Sequence, residues 1–408
     1  MIKKIDVSSL TIGMYVHDLS CNWMKHPFAV NKFKIKNKMQ ISAIRNAGIR
    51  ELYIDTDKGI DIEKHDVAYE VEKQSPERVL VDSEASRKST RTKSMTEELA
   101  RASKVKKEAT RVVADIMEDV RLGRQVELER VNPVVEGIVS SIMSNEDALL
   151  GLTRIRKMDK YIFEHSVSVS VLLTSFAKHL NFPEEDLLQI GIGGLLHDIG
   201  KIKTPQNILN KPGKLTDQEF AIMKKHVVYG KELLEAVPGI SDIILSIATE
   251  HHERLDGTGY LDGKRGDEIS LYGQMAAIVD VYDALTADRV YGEGMSPHTA
   301  LVKLVTWGKS RFNQELLQSF IHCIGIYPIG SLVSLSDARF AVVVESGKKD
   351  LLSPKIRIVF DSIKRQFLTP QDVDLSAKQK GDEIKIISAV DPAKWRISPE
   401  TFLDHRTA

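Results

Sequence analysis

Leu195-Leu196-His197-Asp198-Ile199-Gly200-Lys201 sets a histidine and an aspartate side by side at the end of an apolar helical run. Neighbouring residues on a helix point about 100° apart, so one side chain can lie between two ions while the other ligates one of them. Working outward, Pro183 opens the helix that runs toward Leu196, and Tyr161 to Leu180 carries apolar residues at helical spacing. Downstream, Thr216 and Glu219 have capping-box spacing ahead of Phe220 to Val237, and Ser296-Pro297 starts a further helix. Upstream, Asn132-Pro133 predicts an N-cap followed by proline at the first helical position. From Asn132 to about Tyr327 the pattern is helix after helix.

The flanks differ. Gly13-Met14-Tyr15-Val16 and Glu51-Leu52-Tyr53-Ile54 have strand character, and Ile41 to Ala47 suits one helix. Charge then accumulates up to Arg87-Lys88-Ser89-Thr90-Arg91-Thr92-Lys93, which reads as a solvated linker. A helix starting at Ser94 and stopping near Gly123 would serve as a connector or a dimerisation element. After Tyr327, Ser331 to Leu335, Phe340 to Glu345 and Ile356 to Phe360 suggest a small sheet. The expectation is a mainly α protein: a small α/β domain over 1–62, a charged linker and connecting helix over 63–125, a helical domain over 126–330, and a β-rich extension over 331–408. The extension is expected to pack on the helical domain and take no part in chemistry.

Lys+Arg and Asp+Glu are equal at 57 each among 408 residues, so no global field favours a nucleic-acid polymer or an anionic membrane. No window approaches the roughly 18–20 apolar residues of a membrane span, and the N-terminus lacks a continuous apolar leader. Two distant thiols, Cys21 and Cys323, fit a reducing compartment, so a cytoplasmic protein is expected.

Six of the 12 histidines fall between His165 and His252. His251 and His252 are adjacent, and Asp280 and Asp283 share one helical face. A lone buried histidine is more often a satisfied core residue than a ligand, but that reading of the whole group requires several independent coincidences. Burying so many polar side chains is costly unless something binds them. Imidazole with carboxylate suits iron, manganese or zinc and does not suit calcium or magnesium cages. Two such ions, bridged by a carboxylate and a hydroxide, would suit phosphoester hydrolysis without a protein nucleophile.

Residues from about 145 to 330 resemble the HD-GYP family of HD-superfamily phosphohydrolases. The resemblance rests on His165 in Glu164-His165-Ser166, the His197-Asp198 pair, His226 in Lys225-His226-Val227, His251-His252 within a motif similar to HHExxDGxGYP, and Asp280. It implies an HD-type helical bundle, with His165, His197, Asp198, His226, His251, His252 and Asp280 as metal ligands. It implies a centre of two or three divalent ions, with iron or manganese expected, and hydrolysis of cyclic di-GMP to pGpG or GMP. Lys201 would contact phosphate and assist the leaving group, and Arg289 would contact substrate. Arg254, Asp256 and Gly257 would shape a loop; His179 has no counterpart.

Three departures stand out. The GYP signature reads Gly259-Tyr260-Leu261, which puts in doubt a signalling-partner contact through that loop more than it does hydrolysis. An RPY segment reads Arg289-Val290-Tyr291. Tyr161 stands where three-metal relatives carry glutamate, which favours two ions. Residues 1–62 resemble a small domain of unknown function common ahead of HD-GYP domains, through Leu10 to Val16, Trp23 to Phe28 and Tyr53 to Thr56. His17 and His26 are not read as ligands. Hydrolysis of cyclic GMP-AMP, a receptor or scaffold with a vestigial site, and a mononucleotide substrate stay open as alternatives, as does a homodimer.

Overall fold

Alternation of apolar residues builds the N-terminal sheet. Strands β1 (Ile2–Asp6), β2 (Tyr15–Asp18), β3 (Phe33–Lys34) and β4 (Glu51–Asp55) pair antiparallel in the order β1-β4-β2-β3. Ile5, Val16, Leu52 and Ile54 turn inward onto Leu10, Ile35 and Ile44. The computed structural model describes residues 2–11, 13–19, 32–35, 41, 44–45, 49–60, 95–155, 161–287, 294–347, 350–377 and 384–403, with Ser8, Phe33, Thr96 and Tyr161 described in backbone only. Cys21, Trp23, His26 and Phe28 lie outside these residues, as does most of the helix expected over 41–47. This sheet belongs to one unit, Met1–Arg91, and everything below belongs to a second, Thr92–Ala408.

The second unit opens with α1 (Met95–Arg121), packed against α2 (Leu128–Arg154) and α3 (Tyr161–His179). Glu98 of α1 is fully buried and accepts hydrogen bonds from Ser141 Oγ at 2.7 Å and Ser144 Oγ at 2.9 Å on α2. Gly123, at φ +80°, ends the α1 segment in a conformation that glycine adopts without steric cost. This helix, foreseen as a connector or a dimerisation element, packs as a wall of the helical core. The expected start of α2 at Asn132-Pro133 is corrected: the helix begins at Leu128, with Pro133 inside it. Burial of Val131 and Val135 carries the helix past the proline, so tertiary packing outweighs the missing N–H. Extended backbone at Asn145 breaks α2 about two thirds of the way along.

Small side chains set the spacing that matters. Helix α4 (Glu184–Leu196) carries Gly191, Gly193 and Gly194, and it packs on α3 through buried Ser170 and Thr174. Ser170 Oγ donates to Gly191 O at 2.7 Å. A Cβ on Gly194 would lie 2.8 Å from Ser170 Cα, so nothing larger than glycine allows this approach. A 3₁₀ turn (Ile199–Lys203), α5 (Gln206–Leu209) and α6 (Asp217–Glu235) follow. The Thr216–Glu219 capping box forms as expected. Helices α7 (Asp242–Glu250), α8 (Leu271–Thr286), α9 (Pro297–Trp307) and α10 (Gln314–Ile324) complete the bundle.

The C-terminal extension forms β5 (Leu332–Leu335), β6 (Arg339–Glu345), β7 (Lys355–Asp361), β8 (Gln366–Asp374) and β9 (Ile386–Ala389), antiparallel in the order β8-β7-β6-β5-β9. The sequence foresees β5, β6 and β7. Strand β8 escapes because it is polar, exposed and interrupted by Pro370, the composition of an edge strand. A short α11 (Pro392–Trp395) sets Trp395 against Phe340, with ring centroids 4.7 Å apart. Among the described residues no helix is long and apolar enough to cross a membrane.

The sheet docks on α2, where buried Asp147 accepts from Ser346 Oγ at 2.6 Å and Ser346 N at 3.4 Å. Asp147→Ala leaves these donors short of an acceptor and should lower unfolding stability by about 1–3 kcal/mol. Urea titration followed by circular dichroism measures that loss.

Candidate metal centre

Helix ends deliver the histidines. His197 caps the C-terminus of α4 and His251 that of α7, where backbone carbonyls are left without helical partners. The Nδ1 of His197 bonds Gly194 O at 2.8 Å, and that of His251 bonds Ala248 O at 2.9 Å. On α6, His226 Nδ1 bonds Met223 O at 2.7 Å. With each Nδ1 tied to a carbonyl, the proton sits on that nitrogen and the Nε2 lone pair faces inward.

All seven side chains foreseen as ligands come together, in two groups. His165, His197 and Asp280 form one; Asp198, His226, His251 and His252 form the other, and within each the ligand atoms lie within 4.8 Å of one another. Asp198 joins the groups. Its Oδ2 lies 3.4 Å from His165 Nε2 and 3.2 Å from His197 Nε2, while its Oδ1 lies 3.4 Å from His226 Nε2 and 3.8 Å from His251 Nε2. Asp280 repeats the pattern, with Oδ1 at 3.2 Å from His165 Nε2 and Oδ2 at 3.7 Å from His252 Nδ1. His179 sits fourteen residues beyond His165 on α3, about 21 Å along the axis, and takes no part.

The burial of these groups makes a case for cations. The Nε2 atoms of His197, His226 and His251 and the Oδ1 of Asp198 are buried without a hydrogen-bond partner. Four such orphans in one place are costly unless a ligand satisfies them, and imidazole with carboxylate is a donor set that fits divalent metal. Burial lowers the pKa of His226 to about 4 and that of His251 to about 3, so both are neutral and ready to donate lone pairs at neutral pH. Burial alone would raise the Asp198 pKa, but His197, Lys201 and His165 outweigh it and hold the carboxyl well below its ordinary value. His165 is likewise pulled down by burial but held well above its usual value by Asp198, Asp280 and Asp283.

Asp283 is the functional residue that the assigned ligand set omits. Its Oδ2 lies 2.7 Å from His165 Nδ1, the place of an orienting carboxylate behind a ligand. The signal was its position one turn after Asp280. Gly200 is the other positioning residue. A Cβ there would fall 1.9 Å from His226 O and 2.4 Å from Gly230 N, so only glycine lets the 3₁₀ turn press against α6.

A cleft of about 780 Å³ lies over the two groups, with His165, His226, His252 and Asp280 in its lining. Lys201 lines it and bonds Asp198 Oδ2. Arg254 lines it too, besides donating to Glu253 O at 2.8 Å. Asp256 accepts from Thr258 N at 3.0 Å, and Gly257 takes φ +75°, so both shape the loop. Tyr260 of the altered signature packs on His252, centroids 4.6 Å apart, inside the cleft. Arg289 and the rest of its segment lie outside the described residues, as does the Tyr161 side chain.

The chain is similar to several known proteins. Residues 2–131 match a domain of unknown function, DUF3391, and residues 139–316 match the HD domain. The chain is 33% identical to cyclic di-GMP phosphodiesterase PA4108 of Pseudomonas aeruginosa, over 94% of this chain and 91% of that one. It is 39% identical to 3'3'-cGAMP-specific phosphodiesterase 1 of Vibrio cholerae, over 39% of this chain and 36% of that one. Among solved structures, Bd1817, an HDG"Y"P protein from Bdellovibrio bacteriovorus, aligns over 78% of this chain and 98% of that one, with TM-score 0.47 and 19% identity.

Two substitutions test the support around the site. Asp283→Ala should weaken divalent-metal affinity about 10- to 100-fold with helix content retained, measured by metal titration. Gly200→Ala should cause at least as large a loss, because the turn must move away from His226.

Proposed function

The chain belongs to the HD-GYP family of metal-dependent phosphodiesterases, and we propose that its substrate is cyclic di-GMP, opened to linear pGpG or carried on to GMP. The observation that carries this reading is the bridging position of Asp198, one oxygen toward each histidine group. The name of the Pseudomonas relative, which spans nearly the whole chain, supports the substrate.

His165, His197 and Asp280 would hold one divalent ion; His226, His251 and His252 would hold a second; Asp198 would be shared between them. We assign iron or manganese on the donor chemistry. When bound, the ions supply a nucleophile from water near neutral pH and neutralise charge gathering at phosphorus. The protein's own part is positional and electrostatic. Asp198 keeps its negative charge in a buried setting and so favours cations there. Lys201, held by Asp198 and facing the cleft, meets a phosphate oxygen and gives a proton to the departing ribose oxygen. Arg254 adds a guanidinium in the lining, a second positive charge beside Lys201, for the substrate's other phosphate. The cleft volume suits a ligand of this size.

The test is a substrate panel of cyclic di-GMP, cyclic GMP-AMP and nucleoside triphosphates with iron and manganese, read by chromatography. Cyclic di-GMP should be consumed fastest and yield pGpG or GMP. Asp198→Ala and His197→Ala should each lower turnover by at least about 10³-fold, and metal analysis of the wild type should find about two ions per chain. Faster cleavage of cyclic GMP-AMP would reassign the substrate, and binding of intact ligand without product would make the protein a receptor.

A further inference from the structure

Helix α6 does more than supply His226. Phe220, Met223 and His226 follow one another at three-residue spacing and all line the cleft, so one face of the helix runs from its mouth to its floor. His226 is buried at the floor, whereas Phe220, six residues earlier, remains 45% exposed. Six residues of helix place the two about 9 Å apart along the axis, a reach that a ribose bridges between a nucleotide's phosphate and its base. Phe220 therefore offers a large apolar ring to the cleft instead of to the helical core.

Its neighbours suit a base. Lys224 sets its ammonium 5.3 Å from the Phe220 ring centroid and 5.8 Å from that of Tyr260. Phe220 and Tyr260 meet edge to face, centroids 6.1 Å apart. A flat ring backed by a cation and braced by a second aromatic presents a stacking platform for an electron-rich heterocycle. Aromatic stacking is the usual way proteins hold an unpaired base whose edges are otherwise satisfied by water.

We propose that Phe220, backed by Lys224 and Tyr260, is the stacking subsite for one purine of the cyclic dinucleotide whose phosphate lies over the histidine groups. This rests on the substrate reading given above. It makes Phe220 a determinant of substrate affinity, with no role at the reacting atoms. The platform selects a planar ring without distinguishing guanine from adenine, since every base offers a π-face.

Steady-state kinetics of the full-length, metal-loaded protein on cyclic di-GMP test the assignment, with metal content measured in parallel. Phe220→Leu keeps the apolar bulk and removes the flat ring; KM should rise at least about fivefold, with kcat within twofold and metal content unchanged. Phe220→Trp and Phe220→Tyr restore a planar ring and should return KM to within about threefold of wild type. An unchanged KM in Phe220→Leu, or a loss confined to kcat, overturns the stacking subsite while leaving the phosphodiesterase reading intact. Absence of turnover by the wild-type protein overturns the substrate assignment and this subsite together.

Discussion

One buried carboxylate organises the helical domain. Asp198 is 1% exposed and keeps its charge, an arrangement that would cost several kcal/mol if the charge were left uncompensated. Compensation comes from His197 at the end of α4, from Lys201 and from His165 on α3, while neutral His226 on α6 and His251 on α7 turn Nε2 lone pairs toward its other oxygen. The requirement that all of them reach one carboxylate fixes where those helices end and how closely they cross. Divalent cations extend the same logic, because they are the partners best able to occupy the space between negative Asp198 and neutral Nε2 atoms.

Much of the supporting structure consists of small or unglamorous groups. Glycines on α4 and serines on α3 let two helices approach until His165 and His197 stand with ring centroids 5.2 Å apart. Helix carbonyls orient three imidazoles, and the Asp283 carboxylate orients a fourth. These contacts contribute little chemistry, yet each restricts a rotamer that would otherwise have to be ordered when a ligand binds.

The cleft also crosses a boundary between family modules. Helix α1 falls within the match to the domain of unknown function, whereas the histidine groups fall within the HD match. Even so, Ala114 and Met117 of α1 line the same cleft as His226 and His252. Helices α1 and α2 form one packed pair tied by Glu98 to Ser141 and Ser144, so the wall from one module is rigidly joined to the floor from the other.

The sequence by itself determined a good deal. Helical periodicity, capping pairs and the spacing of His165, His197-Asp198, His226, His251-His252 and Asp280 are local properties of the chain, and they marked out the bundle and named the side chains that gather in it. Strands β5, β6 and β7 were legible because their buried faces are apolar; polar β8 was not, since its pairing is supplied by its neighbour β7. The start of α2 was misread for a related reason, packing of Val131 and Val135 having overruled the proline signal. Only the tertiary structure decided how the seven side chains divide into two groups, which carboxylate oxygen faces each, that Asp283 stands behind His165, and that Tyr260 and Phe220 line the cleft. Those are relations between helices distant in the chain, set by crossing distances and side-chain rotamers that no local pattern encodes.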